Sequence, residues 1–158
     1  MARVVELKID DAQIAIRNFS GKEGRYNREG ERSFVLALPN ELAEQLAEDG
    51  WNVRFPRLTG EEDGYERNPL LNVDLDYRFN PPKVVMISGA VEVAPGVFEG
   101  GTKEMLSQDE LAQLDWADIA YVDLKLRGRE WDPGRIKARV KEIYITLAPN
   151  DLYEKYGI

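Results

Sequence analysis

Two stretches of this chain combine the residue types that hold an anionic, base-bearing polymer. The first is RNFSGKEGRYNREGERSF, residues 17–34, with Arg17, Phe19, Lys22, Arg25, Tyr26, Arg28, Arg32 and Phe34. The second is LKLRGREWDPGRIKARVK, residues 124–141, with Lys125, Arg127, Arg129, Trp131, Arg135, Lys137, Arg139 and Lys141. Cations attract a phosphate backbone, and an exposed ring accepts an unstacked base for about 1–3 kcal/mol per base, with little regard to sequence. In the second stretch Lys125 and Arg127 alternate with Leu124 and Leu126, and Arg135, Lys137 and Arg139 alternate with Ile136, Ala138 and Val140. If the two halves pair as strands, at least five cations share one face and Trp131 lies at the turn. Like charges in that arrangement repel one another, and an anionic ligand would offset the repulsion. The competing reading is that carboxylates of neighbouring strands neutralise them. In the first stretch Phe19 and Phe34 suit a core, whereas Tyr26, set between glycine and charged residues, suits an exposed loop tip.

A catalytic reading is weaker. Asp123 and Lys125 form an Asp-x-Lys pair on a strand, and Asp74 and Asp76 could complete a Mg²⁺ site if they were adjacent, as a metal-dependent nuclease requires. The acidic run Glu61, Glu62, Asp63, Gly64 lacks the spacing of a calcium loop. There is no phosphate-binding glycine loop, dinucleotide fingerprint or nucleophile elbow. The chain has neither cysteine nor histidine, which removes thiol chemistry, the commonest general base and the commonest zinc ligands. No enzyme activity, cofactor or metal is therefore expected.

The net charge is −8, and taken alone it argues against a nucleic-acid partner. The charges are sorted along the chain, however, and local distribution governs attraction more than the sum does. Residues 125–141 hold seven cations against Glu130 and Asp132, while residues 104–123 hold six carboxylates and no cation. No apolar run approaches the roughly 18 residues of a membrane span. The opening MARVVELKID carries charges throughout and does not read as a secretory signal, so a cytoplasmic location is expected.

The elements that must position these residues are mostly strands. Val4 to Ile9, Ile14 with Ile16, Phe34 to Leu38, Leu71 to Tyr77, Val122 to Leu126 and Ile136 to Val140 all show strand-like patterning. Trp51, Val53 and Phe55 alternate, and Val84 to Ile87 reads as a buried strand. A short helix follows Pro39, with Asn40 expected as its N-cap and Gly50 at its C′ position. Ser107 and Glu110 predict a capping box and a second short helix. TGEEDGYERNP, residues 59–69, reads as a loop, Pro95-Gly96 as a hairpin turn and GREWDPG as another turn. After Val140 the apolar residues change phase to Ile143, Ile145 and Leu147, which demands a bulge or bend near Lys141-Glu142. Strands that bend in this way turn the corners of small barrels. The expected fold is mostly β: an OB-fold-like small barrel with short helices and loop insertions, with a β-sandwich as the alternative, formed by residues 1–150 as one domain, with a short C-terminal segment at 151–158.

RNFSGKEGRYNREGERSF, a short helix ending in EDGWNVR, then PPKVVMIS and DIAYVDLKLRGREWDPGRIKARVKEIYITL together resemble the diverged OB-fold single-stranded-DNA-binding proteins of tailed bacteriophages, over roughly residues 10–148. The resemblance implies a sequence-tolerant, non-enzymatic protein of the host-cell cytoplasm that coats single strands in phage DNA replication or recombination. It implies replication or recombination proteins as further partners and leaves self-association open. One departure is the end, APNDLYEKYGI, which lacks the strongly acidic tail through which such proteins recruit partners. The expected contacts are Arg17, Lys22, Arg25, Tyr26, Arg28, Arg32, Lys125, Arg127, Arg129, Trp131, Arg135, Lys137 and Arg139, with Trp51 and Tyr77 as further stacking candidates. The alternative is a protein-interaction or structural module that binds no nucleic acid.

Overall fold

Thirteen-residue strands are long for a chain of this size, and one of them organises the molecule. The computed structural model describes residues 4–23, 30–55, 69–78 and 80–148. Its strands are β1 (Val4–Ile9), β2 (Gln13–Asn18), β3 (Arg32–Ala37), β4 (Val53–Arg54), β5 (Leu70–Leu75), β6 (Lys83–Ser88), β7 (Val91–Ala94), β8 (Val97–Glu99), β9 (Thr102–Leu106), β10 (Ile119–Asp132) and β11 (Arg135–Leu147). Helix α1 spans Asn40–Glu48, and a 3₁₀ helix spans Gln108–Asp115.

β10 and β11 form an antiparallel ribbon joined by Pro133-Gly134, with Gly134 at φ +77°. The bulge anticipated from the phase change is present. Leu126 faces Val140 but Lys125 faces Glu142, so Lys141 is the extra residue. This one insertion lets Ile136, Ala138 and Val140 on one side of it, and Ile143 and Ile145 on the other, all reach the same core. It also divides the strand between two neighbours. The first half of β11 runs parallel to β5, through Ala138 opposite Val73, and the second half runs parallel to β6, through Glu142–Thr146 opposite Lys83–Ile87. β5 continues through β3 to β2, β6 continues to β9, and β1 adds to the far edge of β10.

These strands form an open nine-stranded sheet, and β7 and β8 pair as a separate ribbon. The expected closed barrel is corrected here, because the described strands do not close on themselves. β2 pairs only with β3 and β9 only with β6, and the 3₁₀ helix contacts both of these strands. Its Leu111 and Leu114 are fully buried. The capping box is present, with the Ser107 N–H donating to Glu110 at 2.9 Å. That bond holds the Glu110 carboxyl below its ordinary value.

Local expectations fare unevenly. Gly50 sits at φ +100° beyond α1, where its N–H and that of Trp51 donate to the Ala47 and Leu46 carbonyls, the paired closure that favours glycine. Asn40 is not the N-cap. Pro39 holds that position in an extended conformation, and its carbonyl accepts the Ala43 N–H at 2.9 Å. Ile14 packs against the core, but a register shift between Ile14 and Ile16 turns Ile16 out to solvent. The strand expected at Trp51–Phe55 shortens to Val53–Arg54 because Trp51 instead bridges to Ile136. β10 extends through Trp131 to Asp132, so the turn is shorter than GREWDPG. Most of the 59–69 loop and the segment 151–158 lie outside the described residues.

α1 covers the inner side of the sheet, where Leu42 and Leu46 share a crevice with Val5, Leu7, Trp51 and Ile136. Gly128 makes this packing possible. A Cβ there would fall 2.6 Å from both the Trp51 ring and Ile136, and 2.9 Å from Val5. Gly128→Ala should therefore lower stability by about 1–3 kcal/mol through overpacking. Urea unfolding followed by the signal of buried Trp51 measures this, and an unchanged midpoint would contradict the packing described.

Candidate nucleic-acid interface

Strand alternation that sends Val122, Leu124, Leu126 and Gly128 inward sends Asp123, Lys125, Arg127 and Arg129 outward. On β11 the outward residues are Lys137 and Arg139, with Lys141 at the bulge. Register sets the cations opposite one another, Arg127 facing Arg139 and Arg129 facing Lys137. Across the whole sheet one row reads Glu6, Arg127, Arg139, Asp74, Ser33, from β1 to β3.

Carboxylates flank this ribbon on both sides. Lys141 Nζ lies 2.6 Å from Glu6, Lys137 lies 3.4 Å from Asp74, and Arg139 lies 3.6 Å from Asp76. The Arg78 guanidinium also grips Asp76, at 3.1 Å. The bond from Arg78 holds the Asp76 carboxyl below the ordinary carboxylate range, and the bond from Lys141 does the same for Glu6. Thus the β11 cations 137–141 are each paired. Lys125, Arg127 and Arg129 of β10 have no carboxylate within ion-pair distance among the described residues. Repulsion within the ribbon is relieved from its edge rather than at its centre.

The first stretch divides into three parts. Phe19 and Phe34 are buried and stacked, with ring centroids 5.4 Å apart. Arg17 is committed to structure, because its guanidinium donates to the Leu114 and Ala117 carbonyls at 3.2 and 2.5 Å and secures the end of the 3₁₀ helix. Asp115 reciprocates by accepting the Phe19 N–H at 2.6 Å. Arg25, Tyr26 and Arg28 lie outside the described residues. Arg32 and Lys137, one from each stretch, line a single cleft of about 510 Å³ with Tyr77, Arg78, Asp74 and Gln108. Two of these lining residues also carry a buried polar atom without a hydrogen-bond partner, the Tyr77 hydroxyl and Arg32 Nε, both closed off from solvent. Burial pushes the Tyr77 hydroxyl above its ordinary pKa, against the opposing field of Arg32, so it remains a proton donor at neutral pH.

Of the proposed stacking rings, Trp131 is 58% exposed, with the Arg135 guanidinium 5.6 Å from its centroid. Trp51 is corrected to a core residue, since the close approach to Gly128 buries its ring. Sequence reasoning passed over Trp116, which is 82% exposed with the Lys22 ammonium 5.4 Å above its ring. Its signal was present. Leu111 and Leu114 fix the buried side of the 3₁₀ helix, and Trp116 falls beyond its last residue, within an acidic run.

The nuclease constellation does not assemble. Asp123 lies opposite Tyr144, on the far side of the bulge from Arg139 and Asp74, and it accepts the Asp11 N–H at 3.1 Å. Asp74 and Asp76 are bound to the cations named above. Among the described residues no group of three carboxylates could hold a metal ion, and no helix is long and apolar enough to cross a membrane.

The whole chain, residues 1–158, matches the family described as "Putative phage ssDNA-binding domain". No curated protein and no solved structure matches it.

Because folding lowers the Asp76 pKa, the stability this carboxylate adds is present above the unfolded value of about 4 and is lost as pH falls through the lower folded value. Asp76→Asn should be less stable than the wild type at pH 7, and the difference should vanish on acidification below that range. Urea titrations at stepped pH test this, and a difference that persists unchanged in acid would contradict it.

Proposed function

The chain belongs to the family of phage ssDNA-binding domains, and on that premise we propose that it binds single-stranded DNA on the outer face of the β10–β11 ribbon. The observation that carries this reading is the facing of Arg127 with Arg139 and of Arg129 with Lys137, on a surface turned away from the core. Phosphates lie along the β10 cations, which have no carboxylate partner of their own among the described residues. Bases stack on Trp131, whose ring stands exposed beside Arg135. Lys137, Arg139 and Lys141 of β11 contribute less, because each must first leave Asp74, Asp76 or Glu6. Binding of this kind is sequence-tolerant and needs no catalytic group. It suits a protein that covers single strands during phage DNA replication or recombination in the host cytoplasm. Glu6, Asp74 and Asp76 also keep the face from holding polyanions indiscriminately.

Anisotropy titration of a labelled oligo-dT tests the proposal. Affinity should fall steeply with salt, the logarithmic slope being about −0.7 per phosphate contacted. Arg127→Ala/Arg129→Ala should flatten that slope by about one to two units. Lys137→Ala/Lys141→Ala should flatten it less, since those cations are already paired. Absence of binding by the wild type at low salt would overturn the reading in favour of a protein-interaction module.

A second consequence concerns Asp76. Replacing it with Asn releases both Arg78 and Arg139, so oligo-dT affinity at low salt should rise severalfold while the salt dependence steepens. Weaker binding by Asp76→Asn would contradict the view that this carboxylate restrains the cations.

A further inference from the structure

The outer face of the sheet does not end at the ribbon. Strand pairing carries its central row from Arg127 through Arg139, Asp74 and Ser33 to Asn18 on β2. Asn18 clasps the backbone of Lys22: its Oδ1 accepts the Lys22 N–H at 3.0 Å and its amide donates to the Lys22 carbonyl at 3.2 Å. The Lys22 ammonium in turn stands 5.4 Å from the centre of the Trp116 ring. The row therefore leads to the most exposed large apolar side chain among the described residues, at 82%. A ring so exposed cannot have both faces covered, so the face away from Lys22 is open to a flat ligand. Packing does not require an indole there, since Leu111 and Leu114 already bury the inner side of the 3₁₀ helix. The sequence neighbours Asp115, Ala117 and Asp118 put no apolar patch around it, as a protein contact would need. Asp115 is engaged by the backbone, accepting the Phe19 and Ser20 N–H groups at 2.6 and 3.1 Å.

We propose that Trp116 is a second base-stacking platform, at the β2 end of the outer face, and that one single strand crosses the face from Trp131 to Trp116. The inference rests on the single-strand reading above. Crossing from β10 to β2 takes four inter-strand steps, about 19 Å. Even at the 3.4 Å spacing of a duplex strand, about six nucleotides cover that distance, which lies within the roughly 4–16 of known single-strand sites. Phosphates meet the β10 cations at one end of the path. Farther along, the pairs Lys137–Asp74 and Arg139–Asp76 leave the surface close to neutral. A stack on an uncharged ring holds the strand where the cations thin out, and it does so with little regard to sequence. A duplex keeps its bases stacked on one another and has none to lay on either tryptophan. The two rings therefore select single strands, while the cations between them hold any phosphate backbone. Lys22 belongs to the first basic stretch and Arg127 to the second, so the two stretches serve opposite ends of one path.

Trp116→Ala should lower affinity for oligo-dT about five- to a hundredfold, the loss of one base stack. Its salt dependence should stay as steep as that of the wild type, because the ring meets a base and no phosphate. Trp116→Phe should recover part of the loss. Binding to a duplex of the same length, and to an oligomer of abasic residues that offers phosphates and no bases, should not change. The melting temperature should hold, because the side chain is exposed and the backbone N–H bond to the Gln113 carbonyl survives, and this shows that the variant is folded. Wild-type binding to oligo-dT with no loss in Trp116→Ala overturns the second platform in favour of a protein contact at that ring, and leaves the ribbon reading intact. An equal loss on the abasic strand, or a flattened salt dependence, overturns it too, because the ring would then act only by holding Lys22. Absence of wild-type binding to any of the strands overturns both readings.

Discussion

The whole arrangement depends on one extra residue. β11 is apolar at even positions up to Val140 and at odd positions from Ile143, and a regular strand with that pattern would turn half of its apolar side chains to solvent. The bulge at Lys141 removes the conflict. It keeps Ile136, Ala138, Val140, Ile143 and Ile145 in one core, and it bends the strand so that its halves meet different partners. β5, β3 and β2 hang from the first half, and β6 and β9 from the second. Both arms, through β2 and β9, end in contact with the 3₁₀ helix, whose Leu111 and Leu114 are buried.

The same alternation that fills the core builds the outer face. On β10 the inward Leu124, Leu126 and Gly128 alternate with the outward cations Lys125, Arg127 and Arg129, so there the hydrophobic and electrostatic patterns are a single pattern seen from two sides. This explains how a chain of net charge −8 presents a cationic ribbon. Carboxylates are held along its flanks by Glu6, Asp74 and Asp76 and are concentrated in the segment around the 3₁₀ helix. Arg78 and Arg139 share Asp76, and Lys141 closes on Glu6, so much of the repulsion within the ribbon is relieved before any ligand arrives. Lys125, Arg127 and Arg129 of β10, at the centre, have no ion pair of their own among the described residues.

Local and periodic features were legible in the sequence. The strand alternations, the bulge, the capping box at Ser107, the glycine after α1 and the burial of Phe34 each follow from chemistry within a few residues. Features set by distant pairing were not. Trp51 reads as half of a strand face, and only the approach of Gly128 on β10 shows why it is buried. Arg17 reads as a phosphate ligand until the Leu114 and Ala117 carbonyls are placed beside it. The open sheet depends on where β2 and β9 end relative to the 3₁₀ helix, about which no single segment is informative. The cleft is less legible still, because Arg32 of β3, Tyr77 beyond the end of β5 and Lys137 of β11 come from distant segments and none of them is distinctive alone.

The central claim is that single-stranded DNA lies on the β10–β11 face. Mapping of backbone amide shifts on addition of oligo-dT tests it residue by residue. The account predicts changes concentrated at 125–131 and 137–141, with α1 on the opposite side of the sheet unaffected. Shifts confined to α1 or to the β7–β8 ribbon, with the β10–β11 face silent, would contradict it.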